Sequence, residues 1–249
     1  EEHALIACGG VLRVHDLGTG EILDWPKLEG NDYLGACFHP DSGLVLTRTN
    51  ELAIWEAATG TLQSSHRMHA GVAVFNSDGR FVVAGDGSGK LVVLDWSSDP
   101  WSAVKALHPY STALGEIRFS PDAEVLAVAV TDGTLALWSW PDLECLATWT
   151  GFPAVSIRCR YSSDSRRLLA VGGGVVRVFD VATRSELATL RSNESEILCA
   201  DFTADASQVV LGFADGLVRI WEVFDDPRGV ALARRPRELG PAERARFGR

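Results

Sequence analysis

Apolar and polar residues alternate along this chain in short runs, and turn-forming residues interrupt those runs at regular intervals. The clearest stretch reads "ALGEIRFS" (113–120), "EVLAVAV" (124–130), "TLALWSW" (134–140) and "LECLATW" (143–149), with "PDA", "TDG" and "PD" between the runs. Alternation with a period of two, bounded by Gly, Pro and Asp, predicts short antiparallel strands joined as a meander. Four such strands make one unit, and the unit recurs.

The recurrence is visible in "DGLVRIWE" (215–222), a Gly turn followed by a β-branched run, Trp221 and an acid. "DGTLALWS" (132–139) repeats it closely; "NELAIWE" (50–56), "GKLVVLD" (89–95), "GVVRVFD" (174–180) and "GVLRVHD" (10–16) repeat it more loosely. The closing residues Asp16, Glu56, Asp95, Ser139, Asp180 and Glu222 lie 40, 39, 44, 41 and 42 apart. A second marker keeps the same beat: "FHPDS", "FNSDG", "FSPDA", "YSSDS" and "FTADA" place Asp41, Asp78, Asp122, Asp164 and Asp205 in one phase. Two phase-locked markers at a period of about 41 residues define a structural repeat that buries its faces against its neighbours.

These residues resemble the tryptophan-aspartate (WD) repeat family of β-propellers, over roughly residues 4 to 224. The resemblance implies an all-β propeller with about six visible blades of four antiparallel strands. The first strand of each blade would line a central channel and the fourth would form the outer edge. Residues 1–28 read as a partial first blade, with "ALIAC", "VLRVH" and "EILDW" but no channel strand before them. Five further blades run to about 235, where "VALARR" (230–235) would supply the last outer strand. Upstream residues are expected to complete the ring. Residues 236–249 form a basic tail in which Pro241 suits the start of a short helix. That tail resembles the closing segment of propellers in bacterial multidomain signalling proteins, which implies an effector domain upstream.

Composition narrows the function classes. The formal net charge is −10, while residues 227–249 carry seven Arg against two Glu, so the body is more acidic still. An acidic surface argues against phosphate-backbone binding, and nucleic acid is not expected as a partner. No apolar run reaches membrane-spanning length, so no membrane partner is expected either. Cys8, Cys37, Cys145, Cys159 and Cys199 are odd in number and irregularly spaced, which fits a reduced, cytoplasmic setting. Arg outnumbers Lys 20 to 3, a bias read as a hint of bacterial origin.

The candidate chemistry is sparse. The family resemblance implies a buried structural network of a His, a Ser or Thr, the turn Asp and the Trp. His108, Asp132 and Trp138 fit it in the fourth unit, Asp215 and Trp221 in the sixth, and His69 in the third. The first, second and fifth units lack most of the set and are expected to be looser. His108 and Asp132 do not make a hydrolytic triad, because no nucleophile recurs at a fitting position. The channel positions two and four residues before each phase-locked aromatic, such as Ile117, Ile157 and Cys159, are small or apolar. Between them stand Glu116, Arg118, Arg158 and Arg160, a candidate ion-pair cluster or anion site. Trp96, Trp101 and Tyr110 surround the longer "DWSSDPW" connection and are a candidate interaction rim. No His, Cys and carboxylate cluster has metal-ligand spacing, and "GDGSG" (85–89) lacks the helix start and Lys of a phosphate loop. Neither metal nor cofactor is expected.

The sequence therefore predicts a non-catalytic interaction scaffold or regulatory propeller that meets a protein partner or an attached effector domain. A lactonase- or hydrolase-type propeller enzyme, or a small-ligand sensor using the channel arginines, are the alternatives.

Overall fold

A computed structural model describes residues 3–8, 11–24, 35–41, 43–153, 157–192, 195–223 and 237–238. These form six antiparallel sheets, each a meander in chain order. Sheet one holds β1 (His3–Cys8), β2 (Val11–Asp16) and β3 (Ile22–Asp24). Sheet two holds β4 (Gly35–Phe38), β5 (Leu44–Arg48), β6 (Leu52–Glu56) and β7 (Leu62–His66). Sheet three runs through β8 (Val72–Phe75), β9 (Phe81–Gly85), β10 (Leu91–Asp95) and β11 (Ser102–Leu107). Sheet four has β12 (Leu114–Phe119), β13 (Val125–Val130), β14 (Leu135–Ser139) and β15 (Cys145–Trp149). Sheet five has β16 (Arg158–Tyr161), β17 (Arg167–Gly172), β18 (Val175–Asp180) and β19 (Glu186–Arg191). Sheet six has β20 (Ile197–Phe202), β21 (Gln208–Phe213), β22 (Val218–Glu222) and β23 (Arg237–Glu238). The strand that pairs with β22 is thus two residues within the stretch expected to be a tail, while 230–235 lies outside the described residues. The chain divides into two compact units, Glu1–Ile117 and Arg118–Arg249, with the boundary inside β12.

Within each unit, apolar clusters join one sheet to the next. Leu12 and Val14 of sheet one meet Val45, Ala53 and Trp55 of sheet two; Leu46 and Ile54 of sheet two meet Phe75, Val82 and Leu94 of sheet three. In the second unit, Leu135 and Leu137 pack with Leu168 and Phe179, and Val176 and Val178 pack with Val209 and Leu211. Both faces of a middle strand are therefore covered, and β13, β14 and β17 are buried almost throughout instead of on alternate residues. Full burial of one such side chain contributes about 1.5–3 kcal/mol. The fourth strands β7 and β11 are mostly exposed. Each of the first four complete sheets carries a bulge between its third and fourth strands, opposite Trp55, Leu94, Trp138 and Phe179 in turn. The extra residues are Gln63, Val104, Leu146 and Leu187.

Both sequence markers are turn chemistry. At the end of the third strand, Asp16 Oδ1 accepts from the N–H of Gly18 and Thr19, each at 2.8 Å, and Asp180 Oδ1 accepts from Thr183 N at 2.6 Å. In the second marker Ser120, Ser162 and Thr203 each donate a hydroxyl to the Asp two residues on, at 2.5, 2.6 and 2.7 Å. The same three hydroxyls accept from the backbone N–H five residues on, in Val125, Arg167 and Gln208. The residue after each Asp takes positive φ (Ala123 64°, Ser165 61°, Ala206 56°), a geometry these side-chain bonds hold in place. The turns also grip one another: Asp122 N donates to Ser165 Oγ at 2.9 Å, and Ser163 Oγ donates to the Ala204 carbonyl at 3.1 Å.

This arrangement carries a pH signature. The Thr203 hydroxyl, followed by the N–H and hydroxyl of Ser207, lowers the Asp205 carboxyl from 3.8 to about 2. The Ser162 hydroxyl likewise lowers Asp164. A carboxyl depressed in the folded state takes up protons more readily when unfolded, so stability rises with pH across that window. The Asp205 contribution is fully present above about pH 4 and is lost as pH falls toward 2. Thermal unfolding followed from pH 6 down to 2 is expected to show Asp205→Ala with a shallower acid decline than the parent; parallel curves would refute the assignment.

Candidate interaction surface

The expected Trp network exists most clearly where the sequence reading placed a loose unit. In sheet two, Trp55 Nε1 donates to Thr47 Oγ1 at 2.8 Å, with Thr47 fully buried and Trp55 7% exposed. Thr47 lies opposite Ala53, two residues before Trp55. The matching register positions in the later sheets are Ala84, Val128, Ala170 and Leu211, none of which can accept a hydrogen bond through its side chain. Trp138 is buried, but His108 and Asp132 are exposed, which corrects the expectation of a buried set there. His108 Nε2 stands 2.7 Å from the Ser88 carbonyl in sheet three, and Asp132 Oδ1 accepts Thr134 N at 2.9 Å within its own turn. Asp215 is also exposed; its Oδ1 accepts Leu217 N at 2.9 Å and its N–H donates to Ser195 Oγ at 3.1 Å. Trp221 Nε1 is enclosed without a partner among the described residues, because Leu211 stands where Thr47 stands in sheet two. His69 is exposed.

The aromatic rim is largely internal. Trp101 is 4% exposed, donates Nε1 to Ser64 Oγ at 2.6 Å and stacks on His66 with ring centroids 5.5 Å apart. Burial lowers the His66 pKa, which favours the neutral form of the stacked ring. Trp96 donates to the Gly79 carbonyl at 2.7 Å and meets Phe75 and His39 edge-on. Both tryptophans join sheet three to sheet two; Trp101 is buried, whereas Trp96 and Tyr110, the latter on the connection after β11, are half-buried.

The channel candidates behave differently from one another. Glu116 is buried, whereas Arg118 and Arg158 are exposed. Arg160 donates Nη1 to the Cys159 carbonyl at 2.8 Å, and its Nε lies 3.9 Å from Asp201 on the first strand of sheet six. A solvent-exposed pair at that distance stabilises by less than about 1 kcal/mol. Ile117, Ile157 and Cys159 are core residues. A stronger cation site lies in sheet five, where Arg177 Nη1 donates to the Thr150 carbonyl at 2.9 Å, pairs with Glu186 and lies over Phe152 and Phe179. These contacts fasten sheet five to the connection leaving sheet four.

Among the described residues there is an opening that the sequence reading missed. Asn50, Glu51, Arg67, Met68 and His69 line an open depression of about 420 Å³ beside sheet two. Its origin is a difference in turn length. Arg48 pairs with Leu52, so three residues join β5 to β6; Gly85 pairs with Leu91 and Ala129 with Leu135, so five residues make the equivalent turn in sheets three and four. In sheet three the longer turn reaches the outgoing connection, with Gly89 at φ 91° so close that a Cβ would lie 2.3 Å from the Tyr110 carbonyl oxygen. In sheet four Gly133 at φ 89° sits the same way against Phe152. The short turn of sheet two does not reach residues 67–69, and the space stays open. Sheet five also has a short turn, Gly173–Gly174, but its outgoing connection includes residues 193–194, which are not described.

Among the described residues no group of three or more His, Cys, Asp and Glu is placed to hold a metal ion, and no helix is long and apolar enough to cross a membrane. The repeat acids are occupied in turns, and the depression brings together a guanidinium, an imidazole, a carboxylate, an amide and a thioether. Such a set can recognise polar groups.

Comparison with known proteins agrees with this architecture. Residues 184–222 match the family described as "WD domain, G-beta repeat". The chain is 25% identical over 228 residues to "Telomerase protein component 1" of Rattus norvegicus, spanning 88% of this chain and 8% of that protein. It is 27% identical over 174 residues to "Eukaryotic translation initiation factor 3 subunit I" of Phaeosphaeria nodorum, spanning 65% of this chain and 51% of the relative. A chain in the "Crystal Structure of Mitotic Checkpoint Complex" shares the fold at a TM-score of 0.77 and 16% identity, over 88% of this chain and 70% of its own. These relatives are eukaryotic and lend no support to a bacterial signalling origin. Residues 184–222 thus match a WD-type repeat, and the chain is similar over most of its length to eukaryotic proteins.

Proposed function

We propose that this chain is a non-catalytic β-propeller module that binds a protein partner. The observation that carries the reading is where the polar side chains go. The repeat acids and hydroxyls at the phase-locked positions hold turns, and the tryptophans of the expected rim hold sheets together. What is left for recognition is the loop surface. The relatives' names support the reading in the same direction, being those of a "component" and a "subunit". The chain spans about 8% of the telomerase component, so the activities of such whole proteins are not transferred to it.

Affinity capture with the tagged chain from its source cells, read by quantitative mass spectrometry and confirmed by reciprocal capture, tests this. A protein recovered in fixed stoichiometry in both directions is the expected result. A metabolite or metal retained with no protein would overturn the reading in favour of a sensor or an enzyme.

A further inference from the structure

We infer that the depression between the β5–β6 turn and residues 67–69 is the docking site for an acidic side chain on a peptide segment of the protein partner. The inference rests on the protein-binding function proposed above and assigns it a place and a chemistry.

Among the described residues the side chains of Glu51, Arg67 and His69 engage in no hydrogen bond or ion pair, although all three line one depression. That contrasts with Arg177, whose guanidinium is fully engaged by a carbonyl, a carboxylate and two rings. Met68 lies between the two basic residues and is packed against the core of sheets two and three, so it gives the depression a fixed apolar floor. The opening follows from the three-residue turn, and its lining residues adjoin the ends of β6 and β7, so a ligand finds it preformed.

The lining selects the ligand. A carboxylate can take paired N–H donors from Arg67 and a further one from His69, and the methylenes of an Asp or Glu side chain would rest on Met68. Glu51, on the opposing turn, disfavours a bare anion but accepts from the backbone N–H groups of an extended peptide. At about 420 Å³ the space exceeds what a lone carboxylate or phosphate fills and suits a side chain with its adjoining backbone. A polyanion is disfavoured further by the net charge of −10.

The test is selection of random heptapeptides displayed on phage against the whole chain and, in parallel, against Arg67→Glu and Arg67→Ala. Arg67 is exposed, so both variants are expected to fold with melting temperatures close to the parent's. Peptides enriched on the parent are expected to share an Asp or Glu, to bind Arg67→Ala about tenfold or more weakly, and to be replaced by basic peptides on Arg67→Glu. Enrichment without an acidic residue, or equal binding to Arg67→Glu, would overturn the site while leaving the protein-binding function standing. No enrichment at all would also overturn the site; the protein-binding function falls separately, when reciprocal capture returns no protein.

Discussion

Replacing Phe179 with Ala is expected to lower the stability of the chain by about 3–5 kcal/mol, the range for emptying a fully buried aromatic position. Phe179 has no exposed surface, packs its ring 4.2 Å from that of Trp149 and belongs to the cluster formed with Leu135, Leu137, Leu168 and Ala170. It also forms one of the two rings beneath the Arg177 guanidinium, so its loss withdraws support from the contact between Arg177 and Thr150. Calorimetry should show a melting temperature roughly 6–20 °C below the parent's for a chain of this size. A change below about 1 kcal/mol would mean that sheets four and five close around the gap, and would refute rigid packing there.

The second large effect is expected at Gly133. Its φ of 89° disfavours any side chain, and a Cβ built there would lie 2.4 Å from the Phe152 carbonyl oxygen, which is backbone and cannot swing aside. Gly151 provides the control, because its φ of 85° is similar but nothing lies within 4 Å of its Cβ position. Gly151→Ala isolates the conformational cost, about 1–2 kcal/mol, whereas Gly133→Ala adds the collision and is expected to cost about 3–4 kcal/mol in all. Denaturant unfolding of the two variants side by side decides the matter. Equal losses would show that the connection after β15 yields to the turn, and that these longer turns are not what fills the space left open in sheet two.

The fold was legible because its signals are local. Alternation placed β12 to β15 within a residue or two of their limits, and the two markers proved to be hydrogen-bonded turns whose geometry depends on residues two to five apart. The contacts that decide the surface are not local. Whether a Trp finds a hydroxyl depends on the residue two places from it in cross-strand register, so Thr47 serves Trp55 while Leu211 leaves Trp221 without a partner among the described residues. Trp101 read as rim because its burial comes from Ser64 and His66, more than thirty residues earlier in the chain. The depression did leave a trace in the sequence: "TNE" (49–51) is shorter than "DGSGK" (86–90). That difference acquires meaning only once the strand pairing shows both to be the same turn.

The bulge shared by four sheets bears on how the protein behaves at high concentration. The fourth strands β7, β11, β15 and β19 carry it, and two of them expose apolar side chains, Leu62 at 48% and Val104 at 59%. A straight strand with such residues would offer a continuous rail of N–H and C=O groups for another chain to extend into a shared sheet. The inserted residue breaks the register and increases the local twist, so that rail is interrupted in each sheet that carries it. One residue of apparent irregularity per repeat thereby guards a molecule rich in β-structure against edge-to-edge aggregation.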